Sequence, residues 1–245
     1  MEAVYGVNPV RILIARKETV LKKIIIAEGR GGASVKEVIE IARQKKIPVE
    51  WKARRQLDDL TGRTDHQGIV GLRDDFAYAD LDVLLQNRNP SSTQDLIVVL
   101  DSILDPQNLG SIMRSARCLG ANGVVIPTDR AAAVTPAVIK ASAGSAEQLP
   151  ISRVTNLSQT IDYFKKKGFW VFGADAHEGK PVREQDFRLP VVLVLGNEAR
   201  GLRPLVKKKC DFLVKIPMAE NFDSLNVAVA AGIIQYEIFL QCLKK

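Results

Sequence analysis

Apolar residues along this chain fall into short runs separated by amphipathic stretches. From Asp95 onward the runs are near-continuous: DLIVVLD, GVVIP, FWVFGAD, VVLVLG and FLVKIP. Runs of this length with almost no polar interruption read as strands buried on both faces. A shorter strand is predicted at QLPISRV. Helical spacing marks NLGSIMRSARCLG, TPAVIKASAG, NLSQTIDYFKKKG and GLRPLVKKKC between them. Strands alternating with helices predict an α/β fold, a parallel sheet with helices on both faces. The final helix, 224–243, is so uniformly apolar that burial on nearly all sides is expected.

Residues 1–75 alternate as well. KKIIIAEG, IPVEW and GIVGLRD read as strands, and SVKEVIEIARQKK and RRQLDDL as helices, giving a small α/β sandwich. Asn8-Pro9 has the pattern of a cap followed by proline at the first helical position. Ser34 and Glu37 have capping-box spacing. Gly29, Gly31 and Gly32 lie between strand and helix, yet no dinucleotide fingerprint or P-loop lysine accompanies them, so a tight turn is the simpler reading. Arg30, Lys52, Arg54, Arg55 and Arg63 form either a basic rim for RNA phosphates or a solvated charged face. His66, in TDHQG, reads as a polar loop residue. The stretch from Asp74 to Asp95 changes character: it carries one weak helical piece, then Asn89-Pro90-Ser91-Ser92-Thr93, which is linker chemistry. The expected division is 1–75, a linker over 76–94, and 95–245.

Composition narrows the class. No apolar run spans a bilayer, and MEAVYGVNPV lacks the basic-then-apolar pattern of a secretory leader. The three cysteines form no CxxC pair, and there are only two histidines. A reduced cytoplasmic protein without a metal site is expected. The formal net charge is +7, of which about +4 falls in residues 1–75. That balance fits a polyanionic partner such as nucleic acid.

Ligands of parallel α/β sheets bind outside the carboxyl ends of the strands, and three loops there are unusually polar. The first is Asp105-Pro106-Gln107-Asn108-Leu109-Gly110, opening a helix with Arg114 and Arg117 on one face; Asn108 could simply cap that helix. The second is Gly196-Asn197-Glu198, with Gly201 and Pro204 leading into the next helix. The third runs from Ile216-Pro217-Met218 to Ser224-Leu225-Asn226, where Ser224 or Asp223 could be a plain helix cap.

Together DPQNLGSIMRSA, LVLGNEARGL and IPMAENFDSLNVAVAAG resemble the three motifs of the SpoU-TrmH family of RNA ribose 2′-O-methyltransferases. YGVNPV and HQGIVGL resemble that family's L30e-like substrate-binding domain. The resemblance spans the whole chain and is nearest to members acting on a guanosine of 23S rRNA; a tRNA ribose is the alternative, as is an RNA-binding protein without catalysis. It implies a deep trefoil knot in the C-terminal domain, S-adenosyl-L-methionine as cofactor and a homodimer packed through the knot helices. It implies cofactor contacts at Gly196, Asn197, Ile216, Met218 and Leu225. It also implies that Arg114 contacts the reacting ribose and its phosphate, with Asn108, Glu198, Ser224 and Asn226 positioning Arg114 and the cofactor. An arginine is a poor proton acceptor. Orienting the phosphate and stabilising the alkoxide is the preferred role for Arg114, with the RNA phosphate or a water carrying the proton. Arg30, Arg54, Arg55, Arg63 and Arg117 are the candidate RNA contacts.

Overall fold

In the computed structural model the described residues are 2–16, 20–86, 95–197, 200–219 and 224–243. The chain divides into two compact units, Met1–Ala77 with Val134–Glu147, and Tyr78–Ala133 with Gln148–Lys245.

The first unit holds β1 (Glu2–Tyr5), α1 (Val7–Ala15), β2 (Leu21–Ala27), α2 (Ala33–Gln44), β3 (Val49–Lys52), α3 (Arg54–Thr61) and β4 (Ile69–Arg73). Its sheet runs β1-β4-β2-β3, with β2 and β3 parallel and the other pairs antiparallel. Tyr5, Ile25, Ala27, Leu57 and Val70 make one core of this unit, with α3 supplying Leu57. β1 was not anticipated from the pattern. Asn8 is not a cap either: the helix starts two residues earlier than expected, at Val7 behind Gly6, whose φ of 103° turns the chain. Ser34 and Glu37 form no capping box, because α2 begins at Ala33 behind Gly32. Glu37 instead accepts a hydrogen bond from Arg11 Nε at 3.1 Å. His66 is not a loose polar residue. It is fully buried, its Nε2 lies 2.8 Å from Asp58 Oδ1, and its Nδ1 accepts from the Gly68 N–H at 3.0 Å. That bond makes Nδ1 the acceptor, so the proton sits on Nε2 and points at Asp58.

The helix expected at TPAVIKASAG forms as α6 (Pro136–Ala141), but it belongs to this first unit. Two ionic ties explain the attachment. Lys140 pairs with Asp65, and the buried Glu147 pairs with the buried Arg73. Glu2 joins Arg73 at 3.0 Å. Burial, opposed by Arg73 and Arg16, pushes the Glu147 carboxyl above its ordinary range.

The second unit holds α4 (Leu81–Gln86), β5 (Leu96–Leu100), α5 (Pro106–Cys118), β6 (Gly123–Pro127), β7 (Ile151–Val154), α7 (Leu157–Lys166), β8 (Trp170–Ala174), β9 (Lys180–Pro181), β10 (Val191–Leu195), α8 (Pro204–Lys209), β11 (Phe212–Lys215) and α9 (Val227–Leu243). All its strands are parallel, in the order β7-β6-β5-β10-β8-β11-β9. The two-residue β9 was not anticipated. β5, β6 and β10 are buried at every position, as their unbroken apolar runs require. Strands add outward from β5 through β6 to β7; the chain then crosses to β8 on the other side, and β10 fills the place between β5 and β8. Ligands of open parallel sheets bind outside the carboxyl ends of such strands.

α9 is covered along one stripe only, contrary to the expectation of burial all round. Val227, Ala231, Ile234, Gln235 and Ile238 are buried, whereas Val229 and Tyr236 are about half exposed. The covered stripe faces α5, which buries Leu109, Ile112, Met113 and Ala116. Spacings of three and four residues place these groups on one face of each helix. Among the described residues no helix is long and apolar enough to cross a membrane.

Candidate active site

The carboxyl ends of β8, β10 and β11 open into a cavity of about 530 Å³, within the range typical of small-molecule sites. Its walls come from three chain segments and a helix start. Gly196 and Asn197 follow β10; Ile216 and Met218 follow β11; Asp175, His177 and Glu178 follow β8; Leu225, ahead of α9, and Val227, Ala230 and Ile234 on it close the cavity.

Asn197 and Gly201, after β10, are tied to each other by two backbone hydrogen bonds, at 3.1 and 2.8 Å. Gly201 has φ 63°, which closes the turn without side-chain strain. A Cβ on Gly196 would lie 2.3 Å from the Gly201 carbonyl carbon, so only glycine fits. Asn197 Nδ2 donates to the Ser102 carbonyl at 3.0 Å. The fully buried Asp101, just beyond β5, accepts from both the Arg203 N–H at 2.8 Å and Arg203 Nε at 2.6 Å. These bonds lock the start of α8 to the end of β5.

Two asparagines join the helices beside the cavity. Asn226 Oδ1 accepts from the Ala228 and Val229 N–H groups, at 2.9 and 3.3 Å, while its Nδ2 donates to Asn108 Oδ1 at 3.0 Å. Asn226 is therefore the N-cap of α9, and Ser224 is not; Asp223 lies outside the described residues. Ser224 lines the cavity instead. Asn108 is likewise not a cap, because Asp105 accepts from the Gln107 and Asn108 N–H groups. That leaves the Asn108 side chain available to Asn226.

The sequence reading missed the turn after β8. Asp175 Oδ1 accepts from the His177 and Glu178 N–H groups, at 3.0 and 2.9 Å. Lys207 of α8 bridges Asp175 Oδ2 at 2.7 Å and Glu178 Oε1 at 2.8 Å. Partial burial works against ionisation of Asp175, but the Lys207 ammonium and the two N–H donors outweigh it and hold the carboxyl below its ordinary range. Lys207 is correspondingly shifted upward by its bonds to Asp175 and then Glu178. A usable signal was present. Both LIVVLD and FWVFGAD end an apolar strand on an aspartate at the ligand-binding edge.

Of the residues singled out from sequence, Gly196, Asn197, Ile216, Met218, Ser224 and Leu225 line one cavity. Asn108 and Asn226 meet beside it. Arg114 and Arg117 are exposed on α5 and line no part of it. Glu198 lies outside the described residues. Arg30, Arg54, Arg55 and Arg63 are exposed on the first unit. Among the described residues no group of His, Cys, Asp and Glu side chains could hold a metal ion.

Fold and site define an α/β protein with a partly apolar ligand cavity at the carboxyl edge of a parallel sheet. Residues 95–236 match the SpoU rRNA Methylase family, and residues 3–79 match the RNA 2′-O ribose methyltransferase substrate-binding family. The chain belongs to the SpoU family, a family of S-adenosyl-L-methionine-dependent RNA methyltransferases. YacO of Bacillus subtilis (strain 168), provisionally assigned as a TrmH family tRNA/rRNA methyltransferase, is 42% identical over 96% of this chain and 94% of its own. Similar in structure is the SpoU methyltransferase AviRb from Streptomyces viridochromogenes in complex with the cofactor AdoMet. Its TM-score is 0.83 at 29% identity, over 99% of this chain and 91% of AviRb. An rRNA methyltransferase from Sinorhizobium meliloti aligns with TM-score 0.77 at 26% identity, over 97% of this chain and 86% of that one.

Proposed function

We propose that this protein transfers the methyl group of S-adenosyl-L-methionine to a ribose 2′-hydroxyl in RNA, with a guanosine of large-subunit rRNA as target. The carrying observation is the convergence of Gly196, Ile216, Met218, Ser224 and Leu225 on one cavity beside the Asn108–Asn226 pair.

The cavity fits this cofactor by its chemistry. An apolar wall of Leu195, Val214, Ile216, Met218 and Val227 suits a flat base. The backbone groups of Ile216 and Met218 have no partner among the described residues, so they offer an edge of donors and acceptors. The Asp175–Lys207–Glu178 group supplies charge for the polar end. Bound there, the cofactor supplies an electrophilic methyl group on a sulfonium. Gly196 and Leu225 hold the base, Asn226 and Asn108 fix the helix starts beside the reacting end, and the apolar wall excludes water. Arg114 would orient an RNA phosphate and stabilise the developing alkoxide, with the 2′-hydroxyl proton passing to the RNA phosphate or a water. Asn197, Glu198 and Ser224 complete the positioning.

The same reading includes the trefoil knot and a homodimer. The half-exposed Val229 and Tyr236, with Ile233 between them, leave an apolar face of α9 for a second copy to cover. Dimerisation is also where Arg114, which lines no part of its own chain's cavity, would meet a reacting ribose. Support for rRNA over tRNA comes from coverage. A protein described by 2′-OH methylation of C/U34 on tRNA aligns over 62% of this chain and 99% of its own. The rRNA methyltransferase above aligns over 97% of this chain. Residues 3–79 are matched by the substrate-binding family.

Mass-spectrometric mapping of ribose methylation in rRNA and tRNA from cells lacking the protein tests the proposal. Loss of one 2′-O-methylguanosine from 23S rRNA is expected. Loss from a tRNA instead overturns the rRNA assignment, and unchanged ribose methylation in both overturns the enzymatic reading.

A further inference from the structure

Trp51 is half exposed on β3, the edge strand of the first unit's sheet. A single surface tryptophan needs no explanation by itself. Its surroundings supply one. Trp51 pairs in register with Ile26, one residue before the end of β2, and Lys52 pairs with Ala27. The indole therefore sits at the carboxyl end of the parallel pair β2–β3, on the face of the sheet that Ile26 occupies. Arg30, in the turn after β2, is held on the other side of that strand, its Nε donating to the Gln67 carbonyl at 3.0 Å.

Arg54 and Arg55 follow at the first two positions of α3, and the first turn contains no acidic residue. Cations at a helix N-terminus oppose the helix dipole, so this placement does not favour the helix. Arg54 spends one N–H on the Thr64 carbonyl at 3.1 Å. Arg55 is exposed and has no partner among the described residues. Trp51 likewise has no ring or cation partner there. An exposed indole followed three and four residues on by two exposed guanidinium groups, neither in an ion pair among the described residues, matches what an unstacked nucleotide requires: an aromatic face for the base and cations for its phosphates.

We infer that Trp51 is a base-stacking platform on the first unit, gripping an unpaired nucleotide of the RNA substrate while Arg54 and Arg55 hold its backbone. This rests on the RNA methyltransferase reading and adds to it a preference for single-stranded over duplex RNA at this surface.

The test uses the full chain with Trp170→Phe, leaving Trp51 as the only tryptophan, and two probes: a fluorescein-labelled 12-nucleotide single-stranded RNA and a duplex of the same sequence. Single-stranded RNA should quench Trp51 emission and bind more tightly than duplex. Trp51→Ala should weaken single-strand binding about five- to hundredfold, Trp51→Phe should stay within about threefold, and Trp51→Leu should behave as alanine does. Cofactor affinity by calorimetry should be unchanged in all three. If the parent protein binds RNA and Trp51→Ala binds it equally well, the stacking role is overturned while the methyltransferase reading stands. Equal affinity for duplex, or full rescue by Trp51→Leu, also overturns it. So does a changed solution mass of RNA-free Trp51→Ala, which would assign the surface to a protein partner. If the parent binds neither RNA while still binding cofactor, the RNA reading itself fails and this inference with it.

Discussion

Asn226 Nδ2 donates to Asn108 Oδ1 at 3.0 Å, joining the start of α9 to the first turn of α5 across 118 residues of sequence. The same Asn226 side chain caps α9 through its Oδ1. Two tasks on one amide can be separated by substitution. Asn226→Ala should cost about 1 kcal/mol of stability through the lost cap. Asn226→Ser should restore most of it, since serine caps equally well, but cannot reach Asn108. Methyl transfer should fall in Asn226→Ser and in Asn108→Ala alike, with little change in denaturation midpoint. Wild-type turnover in Asn108→Ala would remove the bridge from the site.

That cap also shows where sequence stops being informative. Asp223, Ser224 and Asn226 are all competent caps within four residues, and propensity does not choose among them. The choice follows from where α9 first packs, at Val227, which is a tertiary fact. Gly6 and Gly32 outcompeted Asn8 and Ser34 for the same reason: a glycine at φ 103° or 116° bends the chain before the polar candidate is reached. The buried strands were legible because β5, β6 and β10 are apolar at every position. The single covered face of α9 was not, because a helix apolar all round carries no periodicity to orient it. The cavity loops after β10 and β11 were readable from motif resemblance, whereas the turn Asp175–Glu178 matches no motif and is marked in the sequence only by the aspartate that ends FWVFGAD.

Lys207 gives that turn a testable role. It bridges Asp175 and Glu178 across the cavity wall. Lys207→Met should free the turn and weaken S-adenosyl-L-methionine binding by about fivefold, roughly 1 kcal/mol, with RNA affinity unaltered. Calorimetry with the cofactor alone reads this directly, and an unaltered cofactor affinity would sink the role.

Asp65 provides the pH dependence. Its hydrogen bond with Lys140, reinforced by Arg63, lowers its carboxyl from 3.8 to about 2. A depressed carboxyl stabilises the fold above its unfolded pKa and loses that contribution as pH falls through the folded value. Asp65→Asn should therefore be less stable than the parent at neutral pH. The deficit should be below about 1 kcal/mol because the pair is partly exposed. It should shrink as pH drops from 3.8 toward 2, as measured by urea midpoints across that window. A deficit independent of pH would mean that Asp65 acts through packing.

Gln235 lies fully buried on α9, and neither its Oε1 nor its Nε2 has a hydrogen-bond partner among the described residues. An unsatisfied buried amide costs about 1–3 kcal/mol. Gln235→Leu should raise the melting temperature, by about 2–4 °C for each kcal/mol recovered. A lower melting temperature would show that the amide has a polar partner in the assembled protein.

Arg114 separates catalysis from cofactor binding. It is exposed on α5, lines no part of the cavity of its own chain, and makes no ion pair among the described residues. Its removal should therefore leave cofactor affinity within about twofold. Positioning and charge stabilisation together carry several kcal/mol of barrier lowering, so Arg114→Ala should lose at least about a hundredfold in turnover on RNA. Arg114→Lys should recover only a fraction, because an ammonium cannot grip a phosphate in the two-pronged manner of a guanidinium. Single-turnover methylation with saturating cofactor measures the chemical step. Turnover near the parent value in Arg114→Ala would exclude this arginine from the reaction and shift attention to the other exposed cation on the same helix face, Arg117.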